Sequence, residues 1–414
     1  MKILFAHQNF PGQFRHLALA LIERGDTVHA LTMNDTGQSP QGVTTIRSSS
    51  RHGSDSKDVW ARDMEAKIIR ARATMESALK LRDQGYSPDV IVGHPGWGDT
   101  LFLKDVWPEA RFGIYCEFFY NAEATDHDFD PEFQEPKDIV AQRCRAKLKA
   151  LPQRLHFPMA NAGISPTHFQ ADTYPADFRE KITVIHDGID TRAVRPLPDA
   201  SIQLGSGHRL TRAGDEVVTF VARNLEPYRG YHVFMRALPK LLRERPNARV
   251  VIVGGSSVSY GAPPETGTWR DRFLNEVRAD LDMSRVHFVG NIAYDVFLQL
   301  ISVSRVHVYL TYPFVLSWSL LEAMASGTAI VASDTAPLRE AIDHGETGLL
   351  FPFFDQDALV AQVSDLLANE PRRATMAARA RDHVIATYDL TTVTLPKQLA
   401  WLQELYDAEP LPPF

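Results

Sequence analysis

Short runs of β-branched and apolar residues alternate with stretches of helical periodicity twice along this chain, and no other feature constrains the fold as much. Residues 2–6 read as an apolar strand; Phe14, Leu17, Ala18 and Leu21 follow at helical spacing and stop at Gly25, a natural helix end. Strands at 27–31, 89–92 and 111–116 and a long helix at 58–83 continue the rhythm. Strands separated by helices pair in parallel, in a doubly wound sheet. Between 187 and 214 the periodicity lapses amid Pro196, Pro198, Gly205, Gly207 and Gly214, and this stretch reads as a connection. A second series then places strands at 217–222, 249–253, 286–289, 306–310 and 329–332. The expected organisation is therefore two similar α/β domains, 1–190 and 191–386, with a helix in 387–414 crossing back to the first. A length of 414 residues suits two or three domains. Open parallel sheets bind ligands at the carboxyl ends of their strands, which points to a site in the cleft between two such domains.

Composition removes several alternatives. With 44% hydrophobic and 23% charged residues the chain can bury real cores, unlike a disordered one. A formal charge of -7 argues against a nucleic-acid backbone as partner. Two cysteines, Cys116 and Cys144, are too few for a disulfide framework or a Cys-rich zinc site and suit a reducing compartment, so a cytoplasmic protein is expected. The first apolar run is too short for a signal peptide, and no stretch approaches the ~20 apolar residues of a membrane span. The run Asp126-His127-Asp128-Phe129-Asp130 lacks the glycine and glutamate of a calcium loop and reads as a solvated loop. Residues 141–157 hold Arg143, Arg145, Lys147, Lys149 and Arg154 with no acidic residue: a solvated face, or a peripheral contact with the inner face of a membrane. No Walker A loop, dinucleotide fingerprint, zinc-ligand spacing or nucleophile elbow occurs.

Two segments carry chemistry. Ala222-Arg223-Asn224-Leu225-Glu226-Pro227-Tyr228-Arg229-Gly230 follows a buried strand, so two cations six residues apart across a turn can converge on one anion, or simply lie on the surface. Ser317-Trp318-Ser319-Leu320-Leu321-Glu322-Ala323-Met324-Ala325-Ser326-Gly327 opens a helix after a strand, and a helix N-terminus offers N–H groups to phosphate. Glu322 lies about one turn in.

Together these segments resemble family 4 glycosyltransferases, retaining nucleotide-sugar enzymes built from two Rossmann-like domains, the GT-B fold. The resemblance covers nearly the whole chain. It runs through Arg223, a basic residue six later followed by glycine, then Gly254-Gly255, Val289-Gly290 and the Glu-Ala-Met-Ala-x-Gly helix. By this resemblance Arg223 and Arg229 bind the donor diphosphate and stabilise it as it leaves, Arg229 replacing the more usual lysine. Glu322 takes the ribose hydroxyls, amides at Ser317, Trp318 and Ser319 hold phosphate, and Gly290, Asn291 and Ile292 border the base. The family usually carries two glutamates with seven residues between them, and here Phe314 stands at the first position, an apolar wall in place of a carboxylate.

On the N-terminal side, residues 8–14 join the first strand to the first helix. Gly12 there lets a donor approach the backbone, and Phe10 is a candidate acceptor contact. Gly93-His94-Pro95-Gly96-Trp97-Gly98 suggests a sugar-stacking surface through His94 and Trp97, or a core plug. Glu117 ends the strand at 111–116, where the family often has a histidine near the anomeric centre. With Phe118, Phe119 and Tyr120 following like a pocket lining, burial is expected to favour its neutral form, as suits a base or sugar ligand; a structural salt bridge is the alternative. The expected activity is transfer of a sugar from a nucleotide-diphosphate donor to a saccharide or lipid-linked acceptor, with retention and without a metal or other cofactor. A sugar-nucleotide epimerase of the same fold, or a non-catalytic nucleotide-sugar-binding protein, remains open.

Overall fold

The computed structural model describes residues 1–413 other than 35–38, 51–52, 122–125, 127, 134–138 and 206. The chain forms two units, one of residues 1–188 with 391–414 and one of residues 189–390.

The first unit is a parallel sheet of β1 (Lys2–Ala6), β2 (Thr27–Thr32), β3 (Thr44–Arg47), β4 (Val90–Gly93), β5 (Arg111–Tyr115), β6 (Ala162–Ser165) and β7 (Ile182–Val184), in the order β3-β2-β1-β4-β5-β6-β7. β1 pairs on both sides, Ile3 with Val28 and with Val90. Its residues alternate between two cores, which is why it is apolar throughout. Ile3 and Phe5 pack with Phe14, Leu17 and Leu21 on one face; Leu4 and Ala6 join Ile91, Phe112 and Phe178 on the other. The helix Leu395–Asp407 supplies Trp401, Leu402 and Leu405 to the first of these cores. Gly113 has no side chain because a Cβ there would stand 2.6 Å from Leu405 and 2.8 Å from Trp401.

The second unit begins at residue 189. Residues 189–214 are part of it rather than a free connection, and they contain an antiparallel pair, β8 (Ser201–Gln203) and β9 (Arg209–Thr211). The turn-forming residues that hide this pair in the sequence surround Ala200, Leu204 and Leu210, which are buried with Val217, Val251 and Leu300. The main sheet consists of β10 (Glu216–Asn224), β11 (Ala248–Gly255), β12 (Val286–Gly290), β13 (Val306–Tyr309), β14 (Ala329–Ser333) and β15 (Leu349–Phe351), ordered β12-β11-β10-β13-β14-β15 and parallel. In each unit the strand order reverses beside the first strand, between β1 and β4 and between β10 and β13. Loops on either side of such a reversal diverge and leave a crevice at the carboxyl edge.

Candidate functional site

In the second unit the loops after β10 and β13 are tied together. The turn Pro227–Arg229 ends at Gly230, whose φ of +64° and whose place 2.3 Å, at Cβ, from the Leu310 Cβ leave room for glycine alone. This turns Arg229 inward. It is buried, and its Nη1 donates to Thr311 Oγ1 at 2.8 Å and to the Val315 carbonyl at 2.9 Å, while its guanidinium lies 5.0 Å from the Tyr260 ring centre. The Tyr309 hydroxyl accepts from the Ser317 amide at 2.8 Å and sets the start of the helix Trp318–Ala325. Arg229 therefore bonds largely inside the protein, whereas Arg223, at the end of β10, is exposed.

Glu226, between the two arginines, is buried and accepts from the Ser259 and Tyr260 amides at 3.0–3.2 Å. Burial pushes its carboxyl above the usual range, against those amides and the nearby Arg229 and Arg223. Its bonds fix the loop after β11 against the Arg229 turn.

The amides expected to hold phosphate are partly used internally. Ser317 N–H goes to Tyr309, and Ser319 N–H points to Ser317 Oγ at 3.4 Å in an N-cap. Trp318 is exposed at this helix start. Glu322, half-buried one turn on, accepts from the Tyr294 hydroxyl at 2.7 Å. Burial lifts the Glu322 carboxyl above its ordinary value and the Tyr294 bond opposes this. Tyr294 starts the helix after Gly290, Asn291 and Ile292, so this contact joins the ends of β12 and β13. Gly290 has φ +66°, and Gly290 and Asn291 are exposed. Phe314 is buried edge-on against Tyr228 and Tyr260, at 5.6 and 5.0 Å between ring centres.

In the first unit a polar cluster stands at the carboxyl ends of β1, β4 and β5. His7 is buried, and its Nδ1 accepts the Asn9 amide at 3.0 Å. Burial and the neighbouring His94 push its imidazole down to about 3, so it is neutral with its proton on Nε2. Gly12, with φ +47°, covers the ring: a Cβ there would lie 2.8 Å from Cε1. His94 stacks on Trp97 at 4.1 Å, accepts the Gly96 amide at Nδ1 (3.1 Å) and meets Glu117 Oε2 through Nε2 at 3.2 Å. Asp99 is buried beside it, its carboxyl raised by burial to about 6.

Several sequence expectations change here. Phe10 is not a ligand contact: it is buried in the core, 6.0 Å from Phe5 between ring centres, because the loop folds its apolar side chain under the sheet edge. Glu117 is not enclosed by aromatic rings; its side chain is 46% exposed and pairs with His94. Phe119 packs inward on Phe157 and Tyr174, and Phe118 is buried too. One face of Tyr120 is covered by Lys149, whose Nζ sits 3.5 Å above the ring. Trp97 is partly exposed with a face on His94. Asp126 and Asp130 are buried rather than solvated, and His127 lies outside the described residues. The sequence reading gave no role to His7, Asp99, Glu226, Tyr294 or Tyr309. Their common signal is position, at or just past a strand's carboxyl end.

The comparisons with known proteins agree with this architecture. Residues 24–194 match the glycosyl transferase family 4 group and residues 208–383 the glycosyl transferases group 1. Glycogen synthase of Mycobacterium tuberculosis is 30% identical over 95% of this chain and 92% of its own length. D-inositol 3-phosphate glycosyltransferase of Stackebrandtia nassauensis is 29% identical over 51% of this chain and 46% of its own, so the chain spans about half the length of such relatives. Sucrose-phosphate synthase from Thermosynechococcus elongatus shares the fold, with TM-score 0.74 at 18% identity over 99% of this chain and 100% of that one. Two sheets with the same strand reversal, two family matches and a relative alike over nearly its full length place this chain among the group 1 glycosyltransferases of family 4, with the GT-B fold.

Proposed function

We propose that this protein transfers a sugar from a nucleotide-diphosphate donor to a saccharide or lipid-linked acceptor, with retention at the anomeric carbon, in polysaccharide or glycoconjugate biosynthesis. The observation that carries this reading is the union of the loops after β10 and β13 through Arg229, with Arg223 exposed beside it. Negative charge builds up on the departing diphosphate, and a buried guanidinium fixed in place beside a second, exposed one stabilises it. On this reading the cations supply the counter-charge and no metal is required. Glu322, held by Tyr294, receives the ribose hydroxyls, and Gly290, Asn291 and Ile292 border the base.

Retention follows from attack on the face the diphosphate leaves, its oxygen taking the acceptor proton. Phe314, which cannot act as a nucleophile, supports this over a covalent sugar intermediate. Glu117, with His94 Nε2 donating to Oε2, orients the incoming hydroxyl. For a lipid-linked acceptor, the helix Ile139–Arg154 offers a surface for anionic lipid: Ile139, Val140, Arg143, Arg145 and Lys147 are exposed along it. No helix among the described residues is long and apolar enough to cross a membrane.

A panel of UDP-, GDP-, ADP- and dTDP-sugars tests the reading. Nucleoside diphosphate release, insensitive to chelators and yielding a product of unchanged anomeric configuration, is expected. An isomerised donor would indicate an epimerase, and binding without turnover a sensor.

A further inference from the structure

At the amino ends of β10 to β13, the edge of the second sheet opposite to Arg223 and Arg229, lies an open cavity of about 390 Å³ lined by Arg249, Arg285 and Arg305. Each of the three is held by backbone oxygens that carry no charge. Arg305 donates from Nε to the Arg212 carbonyl at 3.1 Å and from Nη2 to that of Ala213 at 3.0 Å. Arg285 donates from Nη1 to the carbonyls of Leu242, Arg245 and Pro246 at 3.1–3.2 Å, and Arg249 from Nη1 to that of Ser284 at 3.4 Å. Such bonds orient a guanidinium without neutralising it. Among the described residues Arg305 Nη1, Arg285 Nη2 and Arg249 Nη2 make no hydrogen bond, and each carries N–H groups. The carboxylates nearby are matched. Asp215 accepts from the Thr211 amide at 3.1 Å, bonds His208 at 2.9 Å and lies 3.6 Å from Arg249 Nε. Glu216 pairs with Arg245, and Asp282 takes Arg285 Nε at 2.7 Å. Arg305 pairs with no carboxylate among the described residues. Arg212 and Arg373 stand close enough to feel its charge: burial lowers both guanidinium groups from their ordinary value, and Arg305 lowers each further, against Glu370.

We propose that this cavity is a second anion site, which binds a small phosphate-bearing molecule at the edge of the sheet opposite to the nucleotide. A phosphate accepts hydrogen bonds on every side, and guanidinium groups fixed in place with N–H groups to spare are its best partners. An anion there also relieves the crowding of like charge around Arg305. The remaining lining suits a hydroxyl-bearing body. Asp215 and Glu216 offer acceptor oxygens and Asn247 an amide, while an apolar tail or an aromatic base would meet only Pro246. The cavity shares no residue with the proposed donor site, so the two can be tested apart.

To weaken any binding at the donor edge, calorimetric titrations use the full chain carrying Arg223→Ala, with inorganic phosphate, glucose 6-phosphate and glucose in about 0.15 M salt. At least one of the two phosphates should bind with Kd below roughly 1 mM, and glucose should not. Adding Arg249→Gln should weaken that binding at least about 10-fold, the loss of one charge-assisted contact. Asn247→Asp should do the same with an unchanged melting temperature. The Asn247 side chain is exposed and makes no hydrogen bond among the described residues, so this change sets a negative charge at the cavity and breaks nothing. Tighter binding of glucose 6-phosphate than of inorganic phosphate identifies a phosphorylated sugar as the ligand, and the reverse identifies the free ion. Neither phosphate binding below roughly 1 mM, glucose binding as well as its 6-phosphate, or phosphate binding unaltered by Asn247→Asp would overturn the proposal. Failure of the wild type to bind any nucleoside diphosphate would count against the donor site alone.

Discussion

Arg223 and Arg229 look alike in sequence, two cations flanking one turn, yet the fold gives them different tasks. Replacing the exposed Arg223 by Ala should leave the melting temperature unchanged and weaken nucleoside diphosphate binding by about 1.5–3 kcal/mol, the worth of one charge-assisted contact. Arg229→Ala strands the Val315 carbonyl and the Thr311 hydroxyl, so it should also cost about 1–3 kcal/mol of stability, read by denaturant melts. Equal melts for the two variants would refute the distinction. Asp99 gives a pH signature. Its folded carboxyl titrates near 6 against an ordinary 3.8, so the folded state holds the proton more tightly and stability is lost as pH rises between those values. Asp99→Asn should therefore raise stability at pH 7–8 by roughly 2–3 kcal/mol and change little near pH 4. A variant stabilised equally at both pH values would show that the charge is not the cause. At Glu117, removal of the charge in Glu117→Gln should lower turnover about 10²-fold with nucleoside diphosphate affinity unaltered. Wild-type turnover would return the residue to a structural pairing with His94. Arg223, His94 and Glu117 were legible as polar residues at or just past strand ends, and Glu322 as a residue one turn into a helix, singled out by the family resemblance. The inward turn of Arg229 and the burial of Phe10 were not, because a loop's composition does not say which side chain it folds under itself.

Elements were legible in proportion to their length. Strands with several apolar residues, such as β1, β10 and β11, stand out because both faces are buried and the run is unbroken. β7, β8 and β9 have three residues each, too few for any period, and β8 and β9 sit among prolines and glycines that signal turns. Glycine was informative where geometry demanded it. Gly230 lets the Arg229 turn press against Leu310, and Gly230→Ala should cost about 2 kcal/mol or more, since its Cβ would meet backbone-anchored Leu310 Cβ while φ stays positive. Urea melts check this; a loss below about 0.5 kcal/mol would mean that the turn can open and that Arg229 is not fixed by it.

Across the whole molecule the sheets are organised alike but completed differently. The first unit takes its last helix from the chain's C-terminal end, and the two segments that join the units, around Ile189 and Asp389, pair with each other in the second unit. Trp401 is 3% exposed in a core with Ile3, Phe5 and Leu17, so Trp401→Ala should cost about 3–5 kcal/mol, with the loss in the first unit. The alternation of strands and helices made the two-sheet plan readable at a distance. The hairpin of the second unit was obscured because it is written in residues that elsewhere make linkers.

On the proposed reading the carboxyl edge of the second sheet holds a nucleoside diphosphate between Arg223, the Arg229 turn and Glu322. Calorimetric titration of the intact protein and of Arg223→Ala and Glu322→Ala with UDP, GDP, ADP and dTDP tests it most directly. One diphosphate should bind well, each variant should lose about 10- to 100-fold in affinity, and both variants should melt as the wild type does. If no diphosphate binds, or both variants bind as tightly as the wild type, the site is elsewhere.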